Sequence, residues 1–382
     1  MPDIYDRLES WLEDALDYWA AVGVDRANGG FVEHLALDGS NPDVAFKRLR
    51  VLCRQIYVYS HAAVLGRPGS LEIARHGYSF LTQNGWLGPE GGWARRLGRG
   101  GGVIDPTPDL YDLAFVLFAL GWYHRATGEE DALRRAHDTV VFLDRHMRHP
   151  AGGYLAEKPA RGHRLQNPHM HLLEAALVHL ENTGEPVFRA LADEIVALFR
   201  ARLFDPATET LAEYFDENWM RAAGDAGRTI EPGHQFEWGW ILSNYQRLTG
   251  VNVRDSALAL VRFGERFGID PATGATFDAV RDDGVVLDRG SRAWTNAERM
   301  QAAVAMFEME GRDPSSVFAA SGGLLLDRYL AHVPRGTWID HFDAAGQPKA
   351  DKIPASSLYH FMIAFTEVLR VREAVKLRFG AA

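Results

Sequence analysis

Residues 109–147 read DLYDLAFVLFALGWYHRATGEEDALRRAHDTVVFLDRHM and contain the pattern on which the fold prediction depends. Helical apolar periodicity runs through 109–127 and again through 130–147. Between the two segments stands Thr127-Gly128, and glycine directly after a helical pattern is typical of a C-terminal cap. The stretch therefore predicts two helices joined by a tight turn.

Similar segments recur along the whole 382-residue chain. Helical periodicity predicts twelve of them: 3–23, 46–65, 69–83, 109–127, 130–147, 168–182, 186–202, 233–248, 252–267, 291–309, 313–330 and 354–373. The even-numbered segments begin about every 60 residues, and a fixed period is the mark of a repeat architecture. The prediction is an all-α protein of six helical hairpins, which stack as an open solenoid or close into an (α/α)6 barrel.

The connections between hairpins are long, and three of them contain a Gly-Gly pair followed by an aromatic residue. These are Gly29-Gly30-Phe31, Gly91-Gly92-Trp93 and Gly152-Gly153-Tyr154. Glycine turns before short alternating runs predict small β-hairpins within the loops. We expect residues 1–382 to form one domain.

Each even-numbered helix carries polar groups at a shared register within an otherwise apolar or aromatic stretch. In chain order they are Arg54, Tyr111 with Asp112, Asn167 with His171, His234 with Glu237, Glu298 behind Trp294, and His360. Six helices around a common axis would bring these groups into one pocket, whereas an open solenoid would not gather them. The register therefore favours the closed barrel.

Composition disfavours several classes of partner. The net charge of −10, from 41 basic and 51 acidic residues, opposes binding to nucleic acid or anionic membranes. The longest largely apolar run, Leu113–Tyr123, is shorter than the roughly 20 residues that span a bilayer. The single Cys53 cannot form an internal disulfide, and the N-terminus lacks a signal-peptide pattern. We expect a cytoplasmic monomer or homodimer that acts on a small molecule.

His234 and His360 are the candidates for proton transfer. His234 follows Pro232-Gly233 at a predicted helix start, with Glu237 one turn away on the same face. Burial and a helix N-terminus lower a histidine pKa while a carboxylate opposes them, and this balance suits reversible proton transfer. A structural role is an equally open interpretation for His234. For His360, which stands between aromatic residues, a neutral core imidazole is the alternative.

The remaining candidates are binding groups. Histidines two positions apart on a helix point to different faces, so we predict no metal at His169 and His171. Asn167 and His171 would instead bind hydroxyl groups, with His169 structural. Arg54, on an apolar helix, must pair with a carboxylate or stabilise an oxyanion. Trp294 would stack on a sugar ring or fill the core.

Taken together, these segments resemble the N-acylglucosamine 2-epimerase superfamily, which includes mannose, sulfoquinovose and cellobiose isomerases or epimerases. The resemblance covers nearly the whole chain and is carried by Arg54–Tyr57, Asp109–Phe115, Asn167–Ala175, Pro232–Trp238, Trp294–Glu298 and Tyr359-His360. It implies an (α/α)6 barrel and a reaction through a cis-enediol or enediolate that needs no cofactor or metal.

The resemblance also implies roles for the candidate residues. His360 would transfer the proton at C2 and C1, His234 would open the ring and protonate oxygen, and Arg54 would stabilise the enediolate. Glu237 would orient His234. The groups that would hold hydroxyls or the ring are Tyr111, Asn167, His171, Trp294 and Glu298.

The substrate expectation depends on the segment Lys352–His360. It resembles the mannose-isomerase branch, because the cellobiose branch has a tryptophan shortly before this histidine and this chain has none. The expected reaction interconverts mannose and fructose. The alternatives are a 2-epimerase acting on mannose, N-acylglucosamine or cellobiose, a glycoside hydrolase using two of Glu237, Glu298 and Asp112, and a silent sugar-binding protein.

Overall fold

The computed structural model describes residues 3–380. Its helices are α1 (Ile4–Val22), α2 (Leu49–Val64), α3 (Ser70–Asn84), α4 (Leu110–Thr127), α5 (Glu130–His146), α6 (Asn167–Thr183), α7 (Pro186–Leu198), α8 (Pro232–Thr249), α9 (Arg254–Phe267), α10 (Ala293–Glu310), α11 (Ser315–Val317) and α12 (Leu358–Phe379). A π turn, Phe199–Leu203, continues α7, and two more, Phe318–Gly322 and Leu325–Tyr329, extend α11. The twelve predicted helical segments are all present in the described chain.

The even-numbered helices form a closed ring. Each contacts the next one, from α2 through α4, α6, α8 and α10 to α12, and α12 packs back against α2. The odd-numbered helices form an outer layer, in which α3, α5, α7, α9 and α11 pack against the inner helix that precedes them in the chain. The first helix, α1, packs against α12. The arrangement is an (α/α)6 barrel, and the prediction of a closed form is confirmed.

Position in the barrel explains why the two halves of residues 109–147 differ. Helix α4 touches neighbours on both sides and α5 behind it, so it is buried without interruption from Asp112 through Tyr123. Helix α5 buries only the stripe that faces the ring. The Asp109 side chain caps α4 by accepting from the backbone N–H of Asp112, and Gly128, at a φ of +70°, ends the helix.

Short strands fill the loops, as the glycine turns predicted. They are β1 (His34–Leu35), β2 (Phe46–Arg48), β3 (Arg96–Gly98), β4 (Val103–Asp105), β5 (Arg164–Leu165), β6 (Phe204–Asp205), β7 (Thr210–Leu211), β8 (Tyr214–Phe215), β9 (Thr229–Ile230), β10 (Ala279–Arg281), β11 (Val286–Asp288), β12 (Ser291–Arg292), β13 (His341–Phe342) and β14 (Ile353–Pro354). All pairings are antiparallel: β1 with β14, β2–β3–β4, β5 with β8, β6 with β7, β9–β10–β11, and β12 with β13. Each Gly-Gly pair turns the chain so that its aromatic residue bridges back to the end of the preceding helix, as in Val24 with Phe31.

Three predicted helix starts were too early because strands precede the helices. Residues 46–48 and 291–292 form β2 and β12, and 353–354 form β14, which pairs with β1 at the other end of the chain. A 3-10 turn at Ala355–Ser357 then leads into α12. None of the helices within residues 3–380 is long and apolar enough to cross a membrane.

Candidate active site

The inner helices all begin at the same end of the barrel, and a cavity of about 410 Å³ lies there. Eight of the nine predicted site residues line it: Arg54, Tyr111, Asn167, His171, His234, Glu237, Trp294 and His360. Glu298, the ninth, is buried behind His360. The structure therefore brings together groups that are up to 306 positions apart in the chain, counting from Arg54 to His360.

His234 and His360 stand on either side of Trp294. The indole ring is 5.2 Å from the imidazole of His234 and 5.3 Å from that of His360, measured between ring centroids. Each imidazole also has a carboxylate on Nδ1, at 2.9 Å from Glu213 Oε2 for His234 and 2.7 Å from Glu298 Oε1 for His360. A hydrogen bond at Nδ1 fixes the ring and leaves Nε2 for chemistry.

The carboxylate that holds His234 is not the one we expected. Glu237 was predicted to orient His234, but Glu213 occupies that position and also accepts from Gln166 Nε2 at 2.9 Å. Glu213 lies between β7 and β8, outside the helical pattern on which the site prediction was based. The only signal for it was an acidic residue inside the otherwise apolar and aromatic run Leu211–Phe215.

Glu298 also differs from its expected role. It was predicted to hold substrate hydroxyls, but its carboxylate accepts from Gln301 Nε2 at 2.5 Å and contacts His360 Nδ1, and only 1% of its surface is exposed. Glu298 is therefore placed to orient His360 rather than to touch a ligand.

The two histidines have opposite protonation behaviour. Burial lowers the pKa of His234, but the negative charges of Glu213 and Glu231 outweigh it and raise the pKa to about 9. Burial lowers the pKa of His360 as well, and the positive charge of Arg54 lowers it further, well below its usual range. At neutral pH His234 is thus an imidazolium and His360 a neutral imidazole.

Arg54 lies between the histidines and the opposite wall. Its guanidinium Cζ is 4.1 Å from the ring centroid of Phe115 and 4.9 Å from that of Tyr359, and Nη2 donates to the Tyr111 hydroxyl at 2.7 Å. No carboxylate lies within salt-bridge distance of Arg54 among the residues described. Of the two predicted interpretations, pairing with a carboxylate is therefore wrong, and the group is available for an oxyanion.

Below the histidines, Glu237 and His171 form a second buried group with Glu174. His171 Nδ1 is 3.0 Å from Glu174 Oε2 and 3.8 Å from Glu237 Oε1, and Glu174 accepts from the Tyr359 hydroxyl at 2.7 Å. Burial raises the pKa of Glu237 to about 7, against the attraction of His234 and Arg54. Glu237 Oε1 is buried and has no hydrogen-bond partner in the described chain, so it can accept from a ligand.

Asn167 and His169 illustrate the difference between a site residue and a structural one. Asn167 Nδ2 is 3.1 Å from His234 Nε2, and its Oδ1 is buried without a partner in the part of the chain that the structure describes. In contrast, both ring nitrogens of His169 bond to backbone, at Leu165 and Tyr154. His169 is structural, as its sequence position predicted.

Within residues 3–380, three groups of side chains, all buried except the partly exposed Glu231, have the spacing that a cation would need. They are His171 with Glu174 and Glu237, Glu213 with Glu231 and His234, and Glu237 with Glu298 and His360, with donor atoms within 4.8 Å of one another in each. In each group a histidine Nδ1 already contacts a carboxylate. These contacts fit a proton shared between a histidine and a carboxylate. That the reaction needs no metal stays a prediction.

Known proteins match this chain over most of its length. The model of the family described as N-acylglucosamine 2-epimerase (GlcNAc 2-epimerase) matches residues 29–364. A mannose-6-phosphate isomerase of Rhizobium meliloti (strain 1021) is 32% identical over 94% of this chain and 95% of its own length. Among solved structures, a D-mannose isomerase superposes with a TM-score of 0.87 at 24% identity, covering 95% of this chain and 97% of its own.

The cellobiose 2-epimerase of Spirochaeta thermophila DSM 6192 has the same TM-score of 0.87 at 23% identity, with 97% of both chains covered. At this identity the two structures show the shared barrel alone. The family model and the 32% identical relative carry the assignment, and they confirm the resemblance predicted from the motifs. The chain belongs to the N-acylglucosamine 2-epimerase family, a family of sugar isomerases and epimerases.

Proposed function

We propose that the protein is an aldose–ketose isomerase that interconverts D-mannose and D-fructose. The observation that carries the proposal is the pair of imidazoles flanking Trp294, each held at Nδ1 by its own buried carboxylate and differing in charge. Two such groups can act as acid and base in the same step, because their pKa values are pushed apart. The name of the 32% identical relative, a mannose-6-phosphate isomerase, supports a mannose-configured substrate.

In this mechanism the protonated His234 donates to the ring oxygen as the C1–O5 bond breaks and takes up the proton of the O1 hydroxyl, so that C1 becomes an aldehyde and His234 is again protonated. The open chain lies against Trp294. The neutral Nε2 of His360 removes the proton from C2, and the electron pair moves through C1 to the carbonyl oxygen. Arg54 and His234 stabilise and protonate that oxygen, giving an enediol. His360 then returns its proton to C1 while the proton on O2 leaves to His234, and the product is a ketose.

The partner carboxylates make this proton transfer reversible. A proton that arrives at His360 Nε2 creates an imidazolium, which the Glu298 carboxylate at Nδ1 stabilises. Glu237, whose buried Oε1 lacks a partner within residues 3–380, would accept a hydrogen bond from a sugar hydroxyl, and the Asn167 amide, beside His234 Nε2, would bind another hydroxyl. We also propose that this barrel is a single catalytic domain, since one hydrophobic core cluster extends from Tyr5 to Val375.

The test is NMR of the protein incubated with mannose in deuterium oxide. We expect fructose to appear first, with deuterium at C1, and glucose to appear later or not at all. His360→Asn should lower kcat by about 10²- to 10⁴-fold, as expected for loss of a general base. His137→Asn is the matched control, because His137 lies on the outer helix α5, where it contacts Glu185 and the Phe188 ring.

The alternatives give distinct results in the same experiment. Glucose as the first product would make the protein a 2-epimerase, in which the proton returns to the other face of C2. Full activity of His360→Asn would refute the acid/base pair. No change of mannose, mannose 6-phosphate, cellobiose or N-acetylmannosamine would refute isomerase and epimerase alike.

Glycoside hydrolysis finds less support in the geometry. Inverting hydrolysis needs two carboxylates that face each other across the glycosidic bond. Asp112 is bound by Arg50 through Nε at 2.7 Å and Nη2 at 3.0 Å and does not line the cavity, and Glu298 lies behind His360. Of the three carboxylates considered for a hydrolase, Glu237 alone faces the ligand space.

A further inference from the structure

A second cavity, of about 360 Å³, lies at the opposite end of the barrel from the catalytic one. Its lining residues come from α2, α4, α6, α8 and α12, and most of them lie in the second halves of these helices. We call it the far cavity. Val64 and Leu65 at its mouth are exposed, so solvent reaches it from the end where the inner helices finish. Two cavities therefore lead toward the middle of the barrel, one from each end.

A single hydrogen bond separates the two cavities. Glu174 lines the far cavity, and its Oε2 is 3.0 Å from Nδ1 of His171, which lines the catalytic cavity. Both side chains are buried. The Tyr359 hydroxyl donates to both oxygens of the Glu174 carboxylate at 2.7 Å and so fixes its position. The wall between the cavities is thus one carboxyl group and one imidazole thick at this point.

The far cavity has polar groups that hold water within its mainly apolar walls. Trp122 Nε1 is buried and has no hydrogen-bond partner within residues 3–380, and the Glu174 carboxylate lines the same space. A cavity of this size admits water where polar groups line it, and a buried donor without a partner favours such a water. Glu174 can therefore exchange a proton with water on the side that faces away from His171.

On the catalytic side, titratable groups continue from His171 to His360. His171 Nδ1 is 3.8 Å from Glu237 Oε1, and donor atoms of Glu237, Glu298 and His360 all lie within 4.8 Å of one another. A sugar hydroxyl or one water bridges a span of this length. A series of groups that bind and release protons thus connects the far cavity with His360.

Burial adjusts these groups for carrying protons. It raises the pKa of Glu174 well above its usual range and the pKa of Glu237 to about 7, so both carboxyl groups can hold a proton near neutral pH. Burial lowers the pKa of His171 well below its usual range, and the positive charge of Arg54 lowers it further. A neutral imidazole passes a proton from one neighbour to the other without keeping it.

The proposed isomerase reaction leaves the proton from C2 on His360 while the sugar occupies the catalytic cavity. We propose that Glu174 and His171 form a proton relay to the far cavity, through which this proton exchanges with solvent before it returns to C1. Outward, the proton passes from His360 Nε2 to Glu237 and on to His171. His171 then gives a proton to Glu174, which releases it to water. A proton from water returns by the reverse steps, so only O–H and N–H bonds break and form, and each group ends with the protons it had at the start.

This inference rests on the proposed isomerase function and is tested by the origin of the hydrogen at C1. Mannose is converted in deuterium oxide, and the fructose formed before the reverse reaction contributes is analysed by mass spectrometry and NMR. With the wild-type protein we expect much of the fructose to carry one deuterium at C1. The Glu174→Gln side chain keeps its shape but carries no proton, and loss of a positioned proton carrier slows a transfer by about 10²-fold or more. Most of the fructose should then keep the original hydrogen at C1.

The direction of the change separates a relay from a structural role. A variant that only disturbs the site slows the return of the proton to C1, gives the enediol more time and raises the deuterated fraction, whereas the relay predicts a decrease. Glu181→Gln is the matched control, since Glu181 also lies on α6 and lines the far cavity but binds Arg125 and Arg247 rather than His171. It should leave the deuterated fraction unchanged.

A second variant tests the same route without altering the buried groups. Val64→Trp places a larger side chain at the exposed mouth of the far cavity and narrows it, and it should also lower the deuterated fraction. Fructose without deuterium from the wild-type protein would overturn the inference, and so would a fraction that falls in neither Glu174→Gln nor Val64→Trp, or that falls equally in Glu181→Gln. These results leave the isomerase proposal intact, whereas failure to convert mannose to fructose would remove the proposed function itself.

Discussion

Replacing Glu213 with Gln tests whether one carboxylate sets the charge of His234. The wild-type pKa of about 9 depends on Glu213 Oε2 at 2.9 Å and on the more distant Glu231 at 3.8 Å. An opposite charge this close changes a pKa by about 1–3 units. A decrease of about two units in the Glu213→Gln variant would bring the pKa of His234 to about 7. Because the raised pKa favours the protonated form, that form would be lost at a lower pH in the variant.

The expected decrease in kcat follows from the fraction of His234 that is protonated at each pH. At pH 8 a group with a pKa of 9 is about 90% protonated, whereas one with a pKa of 7 is about 10% protonated. If protonated His234 is the acid, Glu213→Gln should therefore lower kcat about ninefold at pH 8 and hardly at all at pH 6. The alkaline limb of the pH profile of kcat should move down by about two units.

The assay is the rate of fructose formation between pH 5 and 10, together with NMR titration of the His234 ring in isotope-labelled protein. Glu209→Gln is the control, since Glu209 is exposed in the same region and lies 3.5 Å from Arg262 rather than near His234. An unmoved alkaline limb, with a measured decrease in the His234 pKa, would refute the assignment of His234 as the acid. An unmoved pKa would refute the electrostatic argument itself.

Further predictions concern Glu298, metal and two glycines. Glu298→Gln should lower kcat by about tenfold to a hundredfold with little change in KM, because Glu298 touches His360 and does not line the cavity; a change confined to KM would contradict this. Dialysis against EDTA should leave kcat unchanged, and loss of activity that a divalent cation restores would contradict a metal-independent reaction. Gly128→Ala should lower the free energy of unfolding by about 1 kcal/mol, because its φ of +70° strains a side chain although the space around it is open. Gly121→Ala should lower the free energy of unfolding by more than Gly128→Ala does, since the added Cβ would lie 2.9 Å from Val178 Cγ1. Denaturant titration of both variants measures the two decreases.

Sequence predicted the parts of this molecule that depend on local pattern. The helical periodicity and the glycine after α4 were sufficient for the helix pairs, and the shared register of polar residues was sufficient for the closed ring. Helix starts were less accurate, since β14 pairs with β1 from the opposite end of the chain and no local pattern encodes that pairing. The same limit applies to Glu213, whose contact with His234 depends on how a loop folds over the barrel.

The charges around the two histidines explain why the pocket needs so many buried carboxylates. Two identical imidazoles in equivalent surroundings would titrate together, and neither could be acid while the other is base. His234 has two carboxylates close by, and their attraction exceeds the cost of burial. His360 has one carboxylate close by, that of Glu298. Burial raises the pKa of Glu298, and the negative charges of Glu237 and Glu174 raise it further.

Because its pKa is raised, Glu298 carries less negative charge and stabilises a protonated His360 less strongly. The positive charge of Arg54 repels a proton on His360 as well. Glu237 and Glu174 therefore act on His360 without contacting it, by limiting the negative charge at its partner. It follows that Glu298→Gln, which removes the partner charge altogether, should lower the pKa of His360 further and move the acidic limb of the kcat profile to lower pH, whereas Glu213→Gln moves the alkaline limb. Because Glu298 does not line the cavity, the shift requires no loss of substrate contact, and an acidic limb that stays in place would show that the charge of Glu298 does not set the pKa of His360.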